Sequence, residues 1–239
     1  MRPIPVLEIF GPTIQGEGAV IGRKTMFVRT AGCDYRCSWC DSAFTWDGSA
    51  KDEIRMLTAG DILAELREIG GHTFNHVTIS GGNPALLPQL GELVNALKRE
   101  GILTALETQG SRWQDWFYDI DELTLSPKPP SSGMETDFKI LTSIINRLKD
   151  SESSFSLKVV IFDDADLAYA KHVHQLFPDV PFFLQTGNDN LQGEDQVLLP
   201  HLVHKYEWLI NQVMPDEQFK NVRVLPQLHT YVWGNKKGV

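Results

Sequence analysis

Three cysteines, Cys33, Cys37 and Cys40, fall within eight consecutive positions of a 239-residue chain that has no others. Their spacing is C-x3-C-x2-C. Thiolates are soft ligands, so three on one short loop can converge on a single centre of zinc, copper(I) or iron and sulfide. A structural zinc site normally closes with a fourth Cys or His, and the histidine closest in sequence is His72. The fourth position of a centre on this loop is therefore expected to be open. A redox pair of Cys37 and Cys40 would leave Cys33 without a role. An odd count excludes a closed disulfide framework, and a chain this long can stabilise itself by burial. A reducing, cytoplasmic location is expected.

Other polar groups recur in a pattern that suggests one composite site. Ser80-Gly81-Gly82-Asn83-Pro84, Glu107-Thr108, Ser126 with Lys128, and Gln185 each stand where a run of strand-forming residues ends. Two adjacent glycines let backbone approach a ligand closely. Ser126-Pro127-Lys128-Pro129-Pro130 offers a hydroxyl and an ammonium between rigid flanks, suited to a small carboxylate. Lys158 alternates with Leu157 and Val159, so it faces the other side of its strand. If that side is an interior, its charge needs an anionic partner.

The elements that must position these groups follow a strand, helix, strand, helix order. Strands are expected over 25–30, 76–80, 103–107, 123–126, 156–162 and 181–185, with a further short one at 222–225. Thr58 and Asp61 resemble a capping box, followed by Ile62, Leu66 and Ile69 at helical spacing and a stop at Gly70-Gly71. Further helices are expected over 89–100 and 165–177, after Phe138 (Leu141, Ile145, Leu148), and through Leu199, Leu202, Val203, Tyr206, Leu209 and Ile210. The proline-rich stretch 127–135 must be a loop, and the end, 234–239, reads as a mobile basic tail. Strands separated by helices imply crossovers and a parallel α/β sheet, open or closed into a complete or partial barrel, which binds ligands at the strands' carboxyl ends.

With 42% hydrophobic residues the chain is globular, and its length allows one domain or two. The formal charge of -9 disfavours a nucleic-acid interface. The first residues lack the apolar core of a signal peptide and no run of 18 apolar residues occurs, so no membrane association is expected.

Trp39, the aromatic just before the last cysteine, sharpens the reading. C-x3-C-x-aromatic-C resembles the signature of the radical S-adenosylmethionine (SAM) superfamily. The resemblance implies a 4Fe-4S cluster on Cys33, Cys37 and Cys40 and SAM bound at the open iron. It also implies a single domain over 1–239, a partial (β/α) barrel with a reduced set of helices and a C-terminal extension covering the site. Ser80-Gly81-Gly82-Asn83-Pro84 is similar to that superfamily's G-G-E-P element, with Asn83 in place of the usual Glu. Glu8-Ile9-Phe10-Gly11-Pro12-Thr13-Ile14-Gln15-Gly16-Glu17-Gly18, with Phe27-Val28-Arg29, Cys40-Asp41-Ser42 and the later Leu225-Pro226-Gln227-Leu228-His229, resembles the 7-carboxy-7-deazaguanine synthases of queuosine biosynthesis. Those lyases convert 6-carboxy-5,6,7,8-tetrahydropterin to 7-carboxy-7-deazaguanine with loss of ammonia, using SAM as a regenerated cofactor and magnesium as an accessory ion.

Position by position, the resemblance implies SAM contacts by Trp39, Gly82, Asn83, Glu107, Ser126, Pro127 and Lys128. It implies pterin contacts by Ile14, Gln15, Gly16, Arg29, Ser80 and His229, and a magnesium ligand in Ser42. An external electron donor such as a flavodoxin and a homodimer are implied with it. The rival readings are a glycyl-radical activating enzyme that acts on a protein partner, and a non-enzymatic iron-sulfur or zinc module. His172, His174, His201 and His204 are read as structural, not ligating.

Overall fold

Alternation along the strands decides which face of the sheet meets helices. In the computed structural model, which describes residues 2–191 and 195–239, the strands are β1 (Ile4–Ile14), β2 (Lys24–Thr30), β3 (Arg55–Leu57), β4 (His76–Gly81), β5 (Leu103–Thr108), β6 (Glu122–Leu125), β7 (Phe155–Ile161), β8 (Phe182–Thr186) and β9 (Val222–Leu225). Val77 and Ile79, Leu106, Leu123 and Leu125, Leu157 and Val159, and Leu184 turn to one side and join the main apolar core. Thr78, Ser80, Glu107 and Lys158 turn to the other and line a cavity. Because successive side chains point to opposite faces, a single sheet carries both the core and the site.

The helices α1 (Ala59–Gly70), α2 (Leu90–Arg99), α3 (Phe138–Asp150), α4 (Asp164–Leu176) and α5 (Asp195–Val213) bring their apolar positions to the core. The expected capping box is present: the Thr58 hydroxyl accepts from the Asp61 amide while the Asp61 carboxylate accepts from the Thr58 amide. Gly71, at φ 56°, ends α1 where only glycine is unstrained. The strand order is β3-β1-β2-β4-β5-β6-β7-β8-β9. From β2 to β9 neighbours run parallel, and β1 is antiparallel to both β2 and β3. Among the described residues the two end strands, β3 and β9, do not pair, so the sheet does not close on itself. The helix set is reduced, because β5 passes to β6 through one 3-10 segment, Asp115–Asp119.

The seven expected strands and five expected helices form within a few residues of their expected limits. β1, β3 and a last helix, α6 (Leu228–Trp233), go beyond those expectations. Pro5, Gly11 and Pro12 interrupt β1 as a sequence pattern, and its shifts of register against β2 lie at 6/8 and 10/13. A proline or glycine at such irregularities is tolerated by an antiparallel strand.

At the amino end of β4, away from the cavity, His76 is fully buried. Its Nδ1 is 2.8 Å from Thr25 Oγ1, and Nε2 has no hydrogen-bond partner among the described residues and lies 3.5 Å from Glu122 Oε2. Burial, aided by the Arg23 guanidinium and opposed by Asp121, pushes its pKa from 6.5 to about 4. An unfolded chain thus binds the proton first as pH falls. The stability that neutral His76 contributes is complete above pH 6.5 and is lost through the window from 6.5 to 4. Urea unfolding of the apoprotein should show a slope approaching ~1.4 kcal/mol per pH unit there, flattened in His76→Gln. A native slope in that variant would assign the effect elsewhere.

Candidate active site

The cysteine loop leaves β2 and lies against the carboxyl end of β4. Gly82 makes this possible: a Cβ there would stand 2.2 Å from the Gly32 carbonyl and 2.9 Å from Cys33 Cβ. The loop 127–135 clasps the other side. Ser38 donates from its amide to Ser132 O (3.0 Å) and from its hydroxyl to Ser131 O (2.7 Å), and the Tyr35 hydroxyl donates to Glu135 O (2.9 Å). Trp39 is pinned by its indole N–H to Ser131 Oγ (2.9 Å) and by the Phe162 ring at 4.9 Å.

The three thiols are free and half-buried. Burial raises the pKa of each, that of Cys37 to about 11, and Lys128 acts against the rise at Cys37. The thiolates of Cys33 and Cys40 are among the charges that raise Cys37, as expected of sulfurs gathered at one point. Donors already face them: the Tyr35 amide to Cys33 Sγ (3.4 Å) and Trp46 Nε1 to Cys40 Sγ (3.5 Å). Soft sulfurs gathered at a cavity wall with N–H groups turned toward them fit an iron-sulfur cluster.

The cavity, about 380 Å³, runs from these cysteines to a charged wall. Glu8, Arg29 and Ser80 are register neighbours across β1, β2 and β4. Arg29 lies between the rings of Phe10 and Phe44, 5.6 Å from each centroid. Its Nε donates to Glu8 Oε2 (2.7 Å) and its Nη1 to Ser42 Oγ (3.0 Å). The turn after β1 brings in Glu17, whose Oε2 accepts from Lys158 Nζ (2.6 Å) and Oε1 from Gln227 Nε2 (2.8 Å). His229 Nδ1 is 4.0 Å from Glu17 Oε1. It packs so tightly on Gly16 that a Cβ there would meet the imidazole at 2.3 Å. Glu17, Asp41 and His229 place ligand atoms within 4.8 Å of one another, and Asp41 Oδ1 accepts from the Ser42 hydroxyl at 3.0 Å.

Ile14, Gln15, Gly16, Arg29, Trp39, Ser42, Ser80, Gly82, Glu107, Lys128, His229 and the three cysteines all line this one cavity. Three expected residues do not. Asn83 is fully buried with its amide engaged on both sides, and Ser126 and Pro127 are buried beneath Lys128, whose Nζ is 3.2 Å from Ser126 Oγ. Glu107 reaches the cavity, but its carboxylate is an ion-pair partner of Lys158 at 2.7 Å. Thus the expected anionic partners of Lys158 are Glu17 and Glu107. The end of the chain is not a free tail: Asn235 Oδ1 accepts from Asn188 Nδ2, Asn235 Nδ2 donates to Asn190 O, Lys237 Nζ stands 4.0 Å from the Phe44 centroid, and 234–239 lines the cavity. Sequence reading passed over Glu17, Gln227, Asn188 and Phe162. Glu17 and Gln227 carried a signal, standing within the Gln15-Gly16-Glu17-Gly18 and Leu225-Pro226-Gln227-Leu228-His229 runs, but neither received a role.

A parallel partial barrel with a three-thiol loop at the strands' carboxyl ends defines the radical SAM class, and the radical SAM superfamily is matched over residues 27–155. Membership implies a 4Fe-4S cluster and SAM. The 7-carboxy-7-deazaguanine synthase of Bacillus subtilis (strain 168) is 63% identical, covering 100% of this chain and 99% of that one, and the one from Bacillus cereus is 60% identical with 100% of both covered. The crystal structure of QueE from Escherichia coli superposes with a TM-score of 0.66 at 23% identity over 95% of this chain and 94% of that one. The chain belongs to the 7-carboxy-7-deazaguanine synthase family.

Proposed function

We propose that this chain converts 6-carboxy-5,6,7,8-tetrahydropterin to 7-carboxy-7-deazaguanine and ammonia. The observation that carries the reading is the shared cavity: one end is the thiol loop, and the other holds a cation for a carboxylate beside a carboxylate for N–H groups. Product and ammonia together contain every atom of the substrate, so the conversion is redox-neutral and SAM is regenerated. A 4Fe-4S cluster on Cys33, Cys37 and Cys40 together with SAM supplies, when bound, a carbon radical able to remove hydrogen from an unactivated ring carbon.

The rest is positioning by this chain's residues. Arg29 Nη2, which has no hydrogen-bond partner among the described residues, takes the substrate carboxylate. Glu17 accepts from the N–H groups of the pyrimidinone, held ionised by Lys158 against its burial. Ile14, Gln15 and Gly16 offer backbone groups, His229 closes the same end, and Ser80 Oγ is buried there without a partner among the described residues. Trp39, Gly82 and Lys128 face SAM. Ser42, next to Asp41, suits magnesium, a hard ion that keeps waters and completes its shell with a substrate carboxylate. The single-domain organisation, the cytoplasmic location, an external reductant such as a flavodoxin, and a homodimer belong to the same reading. Among the described residues no helix is long and apolar enough to cross a membrane.

The test is an anaerobic reaction of the reconstituted protein with reductant, SAM, magnesium and carboxytetrahydropterin. The deazaguanine is expected with no partner protein, and its absence with a fully loaded cluster would remove the substrate assignment. Ser42→Ala should weaken turnover and its magnesium dependence while iron content stays native. A large loss of iron would instead give Ser42 a structural role.

A further inference from the structure

Asn83 stands where a glutamate is usual, and its side chain is turned away from the cavity. Its Nδ2 donates to Asp34 Oδ1 (2.8 Å) and Ser111 Oγ (3.0 Å), and its Oδ1 accepts from Thr108 Oγ1 (2.7 Å) and the Ala85 amide (3.2 Å). Asp34, between Cys33 and the rest of the cysteine loop, is filled in turn by Gln109 Nε2 (2.6 Å) and the Ser111 hydroxyl (2.7 Å). A primary amide has two donor and two acceptor sites, and all four of Asn83 are used.

We infer that Asn83 is a positioning residue that clamps the cysteine loop, through Asp34, to the carboxyl ends of β4 and β5, and that it does not bind the amino group of SAM. The chemistry of Asp34 dictates the amide. An ionised aspartate can only accept, so its neighbour at 2.8 Å must donate. A carboxylate at position 83 would leave Thr108 and Ala85 satisfied but set two like charges face to face. The clamp rests on the reading of 33–40 as the cluster loop, not on the identity of the substrate.

The test exchanges the two side chains. Asn83→Asp should release iron to a chelator about tenfold faster than the native protein, the loss of one charge-assisted hydrogen bond, and should abolish the change that SAM causes in the reduced-cluster EPR spectrum. Asp34→Asn should be milder, since its amide oxygen still accepts. The pair Asp34→Asn/Asn83→Asp re-forms donor against acceptor with the polarity reversed once the Gln109 amide turns its oxygen to position 34, but Ser111 Oγ, with one proton, can serve only one of its two neighbours, so iron release and the EPR change should recover in part. If Asn83→Asp fails to accumulate, the pair must still fold and load. Asn83→Glu separates the two roles: a SAM ligand predicts affinity at least native, the clamp predicts a loss. Native behaviour of Asn83→Asp, a pair no better than Asn83→Asp alone, or native SAM affinity in Asn83→Glu would each overturn the assignment.

Discussion

Replacing Lys158 with Met is expected to remove ~3–5 kcal/mol of stability, the range for breaking a buried charge network by deleting one partner. The Lys158 side chain is 1% exposed, and its ammonium contacts Glu17 at 2.6 Å and Glu107 at 2.7 Å. Burial opposes the charges of Lys158 and Glu17. Mutual attraction prevails, raising the pKa of Lys158 above the ordinary lysine range and lowering that of Glu17 below the ordinary carboxylate range. Methionine fits a similar volume but leaves two carboxylates facing each other across the floor of the cavity.

For a chain of this size ~2–4 °C accompanies each kcal/mol, so thermal unfolding should move down by on the order of 10 °C. Urea unfolding gives the free energy directly. Adding Glu107→Gln to Lys158→Met should recover part of the loss, because one of two unpaired charges is then removed. A fall below ~1 kcal/mol, or strict additivity in the pair, would show that water already solvates the triad. The sign with pH follows: the Glu17 contribution is full above its unfolded pKa of 4.5 and fades as pH falls, while that of Lys158 is full below 10.5 and is lost on going higher.

The same triad shows where sequence reading reached its limit. Lys158 was legible as a cation facing away from Leu157 and Val159, because strand alternation is local. Its partners were not, since Glu17 lies 141 residues and Glu107 51 residues away. The cysteine loop was legible because its ligands lie within eight residues. The end of the chain read as free because its contacts at Asn188, Asn190 and Phe44 are distant in sequence and no apolar period announces them. Ser126, Pro127 and Asn83 were placed by motif at the right strand ends, but a motif does not say which way a side chain turns. Asn83 turned to the protein, where Asp34 and Thr108 offered it partners. A fold whose strands alternate can thus be read locally, whereas a site assembled from five strands of the sheet and the loops beyond them is fixed by pairs that only the register brings together.

Arg29→Lys is expected to raise KM for the carboxytetrahydropterin by roughly 10- to 150-fold, the equivalent of a charged hydrogen bond of ~1.5–3 kcal/mol. A guanidinium can donate in several directions at once from a fixed plane, and an ammonium on a flexible stem cannot. Here Nε and Nη1 are committed to Glu8 and Ser42, and the rings of Phe10 and Phe44 fix the plane. The remaining Nη2 is thereby aimed before the substrate arrives. Lysine keeps the charge and loses that aim. Loss of ground-state binding appears in KM more than in kcat, and iron content and SAM affinity should remain native because Arg29 touches neither the thiols nor Lys128. A pterin lacking the 6-carboxylate supplies the control: as a competitive inhibitor it should bind native and Arg29→Lys proteins equally, since the group that Arg29 receives is missing. Equal weakening of both ligands would mean that the substitution disturbs the wall of the cavity. An unchanged KM would place the carboxylate elsewhere in it.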